Sequence, residues 1–60
     1  MIEIYWYYNG NRIGVSKTPC IPRKGELVIL DDISCEVLNI IWIFNEGINN
    51  SWVEINVRVL

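Results

Sequence analysis

Both ends of the chain alternate with period two, and that constrains the fold more than any other feature. In "IEIYWYY", Ile2, Ile4, Trp6 and Tyr8 fall on one side and Glu3, Tyr5 and Tyr7 on the other. In the closing "WVEINVRVL", Val53, Ile55, Val57 and Val59 alternate with Glu54, Asn56 and Arg58. Successive side chains of a strand point to opposite faces, whereas a helix repeats every 3.6 residues. Composition pushes the same way. Eleven isoleucines and six valines stand against no alanine or glutamine, so residues that suit a pleated surface displace the best helix formers.

Turn residues divide the rest. Asn9-Gly10 supplies the positive φ angles of a tight hairpin. "RIGVSK" returns from it, with Ile13 and Val15 expected inward and Arg12, Gly14 and Ser16 outward; Gly14 marks a bulge or a close backbone approach. Pro19 and Pro22 lack an N–H and end that ladder, and Gly25 permits a turn. "ELVILD" reads as a third strand, Val28 and Leu30 on one face and Leu27 and Ile29 on the other. Asp31-Asp32 is a turn signal, since either side chain can bond local amides. The fourth strand runs from Ile33 to Asn45 and is long. Asn39 inside it calls for a β-bulge near Leu38-Asn39, which shifts the phase. Cys35 and Val37 then point inward before the bulge and Ile40, Trp42 and Phe44 after it. "NEGINNS" is a turn. The chain therefore reads as one all-β domain over residues 1–60: a small five-stranded antiparallel barrel or strongly curled sheet, SH3-like or OB-like, because closure removes exposed edges.

A chain of sixty residues buries only about 60% of its unfolded surface, and such scaffolds add disulfides, a metal or oligomerisation. There are two cysteines, Cys20 and Cys35, and no histidine, too few for the roughly four ligands of a structural zinc. A Cys20–Cys35 bridge is geometrically possible. However, Glu3 and three tyrosines occupy the place where a secretory leader carries basic and then apolar residues, which points to a reducing, cytoplasmic compartment with free, packed thiols. The longest apolar run, Ile40 to Phe44, is far short of a membrane span. Oligomerisation remains. The inward positions already fill a small core, leaving Leu27, Ile29, Ile41 and Ile43 outside. If strands three and four pair, these four form one contiguous patch, the expected homodimer interface, each worth roughly 1.5–3 kcal/mol when fully buried. A sandwich burying both faces of strand four is the competing arrangement.

Charge is segregated. Arg12, Lys17, Arg23 and Lys24 are four of the five cations, while Glu26 to Glu54 holds six carboxylates and no cation. A basic region beside an acidic body steers partners. Catalysis is not expected: without histidine the commonest general base is missing, and no phosphate-cradling glycine loop is present. Asp31, Asp32 and Glu36 fall short of a calcium shell. No cofactor or metal is implied. Cys20 lies near cations that favour a thiolate, and Asn49 to Ser51 matches a glycosylation sequon; both read as loop features. The candidate partner-binding set is Tyr5, Tyr7, Arg12, Lys17, Arg23 and Lys24, facing a protein target. The alternative is a small nucleic-acid-binding barrel stacking bases on Tyr5, Tyr7 and Trp52, which a net charge of −2 opposes.

"IPRKGELVIL", "CEVLNIIWIF" and "VEINVRV" resemble a pattern of small phage- and prophage-encoded β proteins. It joins a Pro-x-x-Gly-Glu turn, a short strand, a strand with a Val and Trp core pair and a final alternating strand. The matching positions are Pro22, Gly25, Glu26, Val28, Leu30, Val37, Ile40, Trp42, Val53 and Ile55, over about the last forty residues. Such proteins include short inhibitors of bacterial immunity, among them those that block Hachiman defence. The resemblance implies a compact homodimer in the host cytoplasm that disables a host protein. The apolar outer positions of strands three and four depart from that pattern.

Overall fold

The computed structural model describes residues 1–45 and 51–60, and all of its regular structure is β. Five strands form: β1 (Ile2–Tyr8), β2 (Asn11–Thr18), β3 (Leu27–Leu30), β4 (Ile33–Ile43) and β5 (Trp52–Val59). They make one sheet in the order β2-β1-β5-β4-β3, strongly curled into a half-barrel. Three ladders are antiparallel; β1 and β5 pair in parallel, Ile4 beside Val53 and Trp6 beside Ile55. The two cleanly alternating ends of the chain lie side by side within the sheet. They carry the densest apolar faces, and central strands are covered on two sides. No ladder joins β2 to β3, so the sheet stops short of a closed barrel. The radius of gyration, 11.5 Å, exceeds the about 10.4 Å of a compact sixty-residue domain.

The turns form where the sequence places them. Asn9 and Gly10 have φ of 50° and 78°, the left-handed pair of a type I′ hairpin. Asp31 and Asp32, at 48° and 67°, make the same turn between β3 and β4. Aspartate serves there by tolerating the left-handed region rather than through side-chain bonds. The 23–26 turn is tied by Glu26, whose carboxylate accepts the Arg23 N–H while its own N–H donates to the Arg23 carbonyl at 3.0 Å. The expected bulge is present: the β4–β5 register shifts between Val37 and Asn39, leaving Leu38 as the extra residue. The turn expected over "NEGINNS" and the sequon asparagine lie outside the described residues.

The core is Ile4, Trp6, Cys35, Val37, Val53, Ile55 and Val57, all from β1, β4 and β5. Ile2, Ile21, Val28, Leu30 and Ile40 pack against it. Two expectations change. On β2 the phase is reversed: Val15 stands opposite Tyr5 on the outer face, while Gly14 and Ser16 stand opposite Trp6 and Ile4 on the inner one. A bulge at Ile13, between the Trp6 and Tyr7 pairings, causes the reversal, and Ile13 is itself exposed. The reversal serves Trp6. A Cβ on Gly14 would lie 3.8 Å from Trp6 Cδ1, and Trp6 Nε1 donates to Ser16 Oγ at 3.0 Å. Trp42 and Phe44 are not core residues either, at 50% and 73% exposure. They stack on one another, centroids 6.1 Å apart, beyond the reach of the short β3. Cys35 is buried and Cys20 exposed, both free thiols; only Cys35 is packed.

Candidate interaction surfaces

The outer face of β1, β2 and β5 gathers most of the expected partner-binding residues. Its cross-strand rows run Lys17–Glu3, Val15–Tyr5–Glu54 and Arg12–Tyr7–Asn56. The Tyr5 ring stacks on Trp52, centroids 6.0 Å apart, and the Arg12 guanidinium lies 5.4 Å from its centroid. Tyr5 donates its hydroxyl to Glu3 Oε1 at 3.0 Å, and Trp52 Nε1 donates to Glu54 Oε2 at 3.1 Å. The Glu3 carboxylate, by accepting that bond, holds the Tyr5 phenol above its ordinary pKa, and partial desolvation adds to the effect. The face is thus a pre-arranged aromatic and charged surface. Tyr5 is already engaged by Arg12 and Trp52, and two carboxylates border it. Arg23 and Lys24 lie in the turn that bonds β4 through Gly25 and Glu26, outside the three strands of this face.

The four outer apolar residues also separate. Strands β3 and β4 are neighbours, but Leu27 stands opposite Glu36 and Ile29 opposite Ser34, whereas Ile41 and Ile43 stand opposite Glu54 and Trp52. Leu27 and Ile29 are 69% and 73% exposed, Ile41 is 44% exposed and Ile43 half-buried. Between the two pairs the outer face carries the Glu36–Arg58 ion pair and an Asn56-to-Asn39 amide bond of 2.8 Å. One contiguous patch is not formed. With four residues, β3 reaches only the first part of β4, and the Leu38 bulge follows at once.

The same shortness exposes a feature that reading the strands one by one did not isolate. The β3 register ends at Glu36, and the 23–26 turn extends the pairing only to Val37, through Gly25 N–H to Val37 O at 2.8 Å and Val37 N–H to Glu26 O at 2.9 Å. From Leu38 to Ile43, β4 has backbone partners among the described residues only in β5. An antiparallel strand bonds each neighbour through alternate residues. Leu60 N–H donates to Ser34 O at 3.0 Å, so on β5 the residues facing β4 are Leu60, Arg58, Asn56 and Glu54. Past the bulge Asn56 and Glu54 meet Asn39 and Ile41. The main-chain groups of Ile40 and Trp42 are left pointing off the sheet. The signal was present in the sequence as a mismatch of lengths, a long fourth strand beside a third strand bounded by Pro22 and Asp31.

A third feature is the seam between the unjoined edges β2 and β3. A cavity of about 230 Å³ there is lined by Trp6, Ile13, Gly14, Val15, Ser16 and, across from them, Ile29 to Asp31. A neighbouring one of about 250 Å³ reaches Tyr8, Ile33, Cys35 and Val59. The second is a mainly apolar cleft into the open side of the half-barrel, whereas the first is bordered mostly by polar surface, and nothing in their linings is a nucleophile paired with a base. No protein-family model, curated protein or solved structure matches the chain.

Proposed function

We propose that this chain is a non-enzymatic protein-binding module that works as a homodimer. One observation carries the reading: among the described residues thirteen large apolar side chains are exposed and seven apolar residues are buried. Of the exposed ones, Leu38, Ile41, Trp42 and Phe44 run together along the end of β4 and just beyond it, and exposed apolar surface gathered in one place marks contact with another protein. The aromatic and basic face of Tyr5, Tyr7, Arg12 and Lys17 is the surface offered to a target. That the target is a bacterial defence protein, and the chain a phage-encoded inhibitor acting in the host cytoplasm, rests on the pattern from Pro22 to Ile55 that resembles such inhibitors.

The nucleic-acid reading draws on the same aromatic residues with Arg12 and Lys17. It is weakened by Glu3 and Glu54, which occupy that face. Affinity capture from a bacterial lysate on immobilised protein tests the proposal. Wild type is expected to retain a protein that Tyr7→Ala combined with Arg12→Glu releases, without nuclease affecting the result. Retention of nucleic acid alone, or a shift of oligonucleotides at low salt, replaces the proposal with its alternative.

A further inference from the structure

We infer that two copies of this chain join edge to edge through β4, with the two-fold axis at Ile41, so that the two half-barrels share one continuous sheet. The inference deepens the homodimer reading and moves the contact from the outer face to a strand edge. The sheet has three unpaired edges, and two are protected. The β2 edge carries Arg12 and Lys17, the Ile13 bulge and Pro19 at its end. The β3 edge is four residues long and bounded by Lys24 and Asp31. Charges, bulges and shortness are what keep edges from pairing. The β4 edge has none of these past Leu38: from Val37 to Asn45 no residue is charged. Leu38, Ile41, Trp42 and Phe44 are all exposed along it.

The occupant follows from the geometry of the bare groups. With Ile40 and Trp42 pointing off the sheet, an antiparallel second copy that sets Ile40 opposite the partner's Trp42, and Trp42 opposite the partner's Ile40, satisfies both residues within the strand. That register places the partner's Ile41 directly opposite Ile41 on the outer face and an isoleucine beside each Trp42 on the inner one. Between Leu38 and Phe44 the pairing sets no like charges opposite each other. The exposed area of the four apolar side chains is on the order of 400 Å² per protomer, half of the about 800 Å² a side of a standard interface, which places the contact in the weak, reversible class. The contact is isologous and consumes the one unprotected edge among the described residues, so assembly stops at two copies.

Sedimentation equilibrium and a cysteine scan test the inference in a Cys20→Ser background, which leaves only the buried Cys35. Wild type is expected at twice the 7.0 kDa chain mass. Ile41→Cys is expected to give a covalent dimer under mild oxidation, because directly opposed residues bring their Cβ atoms to about 4.5–5.5 Å. Ile29→Cys, on the outer face of β3, is expected to stay unlinked. Ile41→Lys, which sets two ammonium groups against each other, is expected to give a monomer with unchanged β-sheet circular dichroism. A dimer linked through Ile29→Cys, or one that Ile41→Lys leaves intact, overturns the edge contact while keeping the homodimer. A wild-type monomer up to sub-millimolar concentration overturns both. Neither result affects target capture, which judges protein binding separately.

Discussion

The Trp6 side chain shows how one residue reorganises its neighbours. Its indole shares the inner face with Gly14 and Ser16 rather than Val15, the first leaving ordinary contact room beside the ring and the second accepting the Nε1–H bond at 3.0 Å. Removing the acceptor by Ser16→Ala is expected to cost about 0.5–1.5 kcal/mol, read as a lower urea midpoint at unchanged slope. Gly14→Ala is expected to be tolerated, since the added methyl meets Trp6 at ordinary contact distance. Tyr5 supplies a second test. Its pKa is raised because the Glu3 carboxylate accepts its hydroxyl proton, which stabilises the neutral phenol, so Tyr5 ionises at higher pH than an unperturbed tyrosine. Glu3→Gln is expected to bring that titration down toward the ordinary value, followed by tyrosinate absorbance; an unchanged curve would show that the bond is not populated.

At the scale of elements, two hairpin turns and two bulges, at Ile13 and Leu38, shape the antiparallel registers. Gly10 sits at φ 78° with open space where a Cβ would go, so a substitution there meets backbone strain alone. Gly10→Val is expected to destabilise by about 1–2 kcal/mol, the cost of holding an L-residue in the left-handed region. Chemical denaturation measures it, and loss of stability in the absence of any steric contact separates strain from packing. The Leu38 bulge has a different consequence. It turns Ile40 and Trp42 toward the inner side and off the sheet, and so creates the edge on which the proposed self-association depends. A four-residue β3 beside an eleven-residue β4 leaves that edge without a neighbour among the described residues.

Across the whole molecule, seven core residues hold five strands together. Stabilities of about 0.05–0.15 kcal/mol per residue are usual, so a chain this size has little reserve. Ile55→Ala removes a fully buried side chain at the junction of β1, β4 and β5 and is expected to cost about 2–5 kcal/mol, enough to unfold much of the population at room temperature. Loss of the far-ultraviolet β signal would report it; a melting curve within a few degrees of wild type would mean that the core lies elsewhere. An association-stabilised fold also has a melting temperature that rises with protein concentration.

Alternation in Ile2–Tyr8 and Trp52–Val59, the turn dipeptides Asn9-Gly10 and Asp31-Asp32, and the out-of-place Asn39 determined by themselves that the chain is all-β, where it reverses and where β4 bulges. Each is a local effect, written in the period of side chains and in the φ angles that particular residues tolerate. Which strands became neighbours was not local. Placing β1 beside β5 in parallel, leaving β2 and β3 unjoined, and ending β3 opposite Glu36 depend on packing between residues far apart in the chain. Those choices moved Val15, Trp42 and Phe44 out of the core. They also split Leu27 and Ile29 from Ile41 and Ile43. A strand's own pattern fixes which residues share a face, but only the tertiary structure decides whether that face or edge has anything against it.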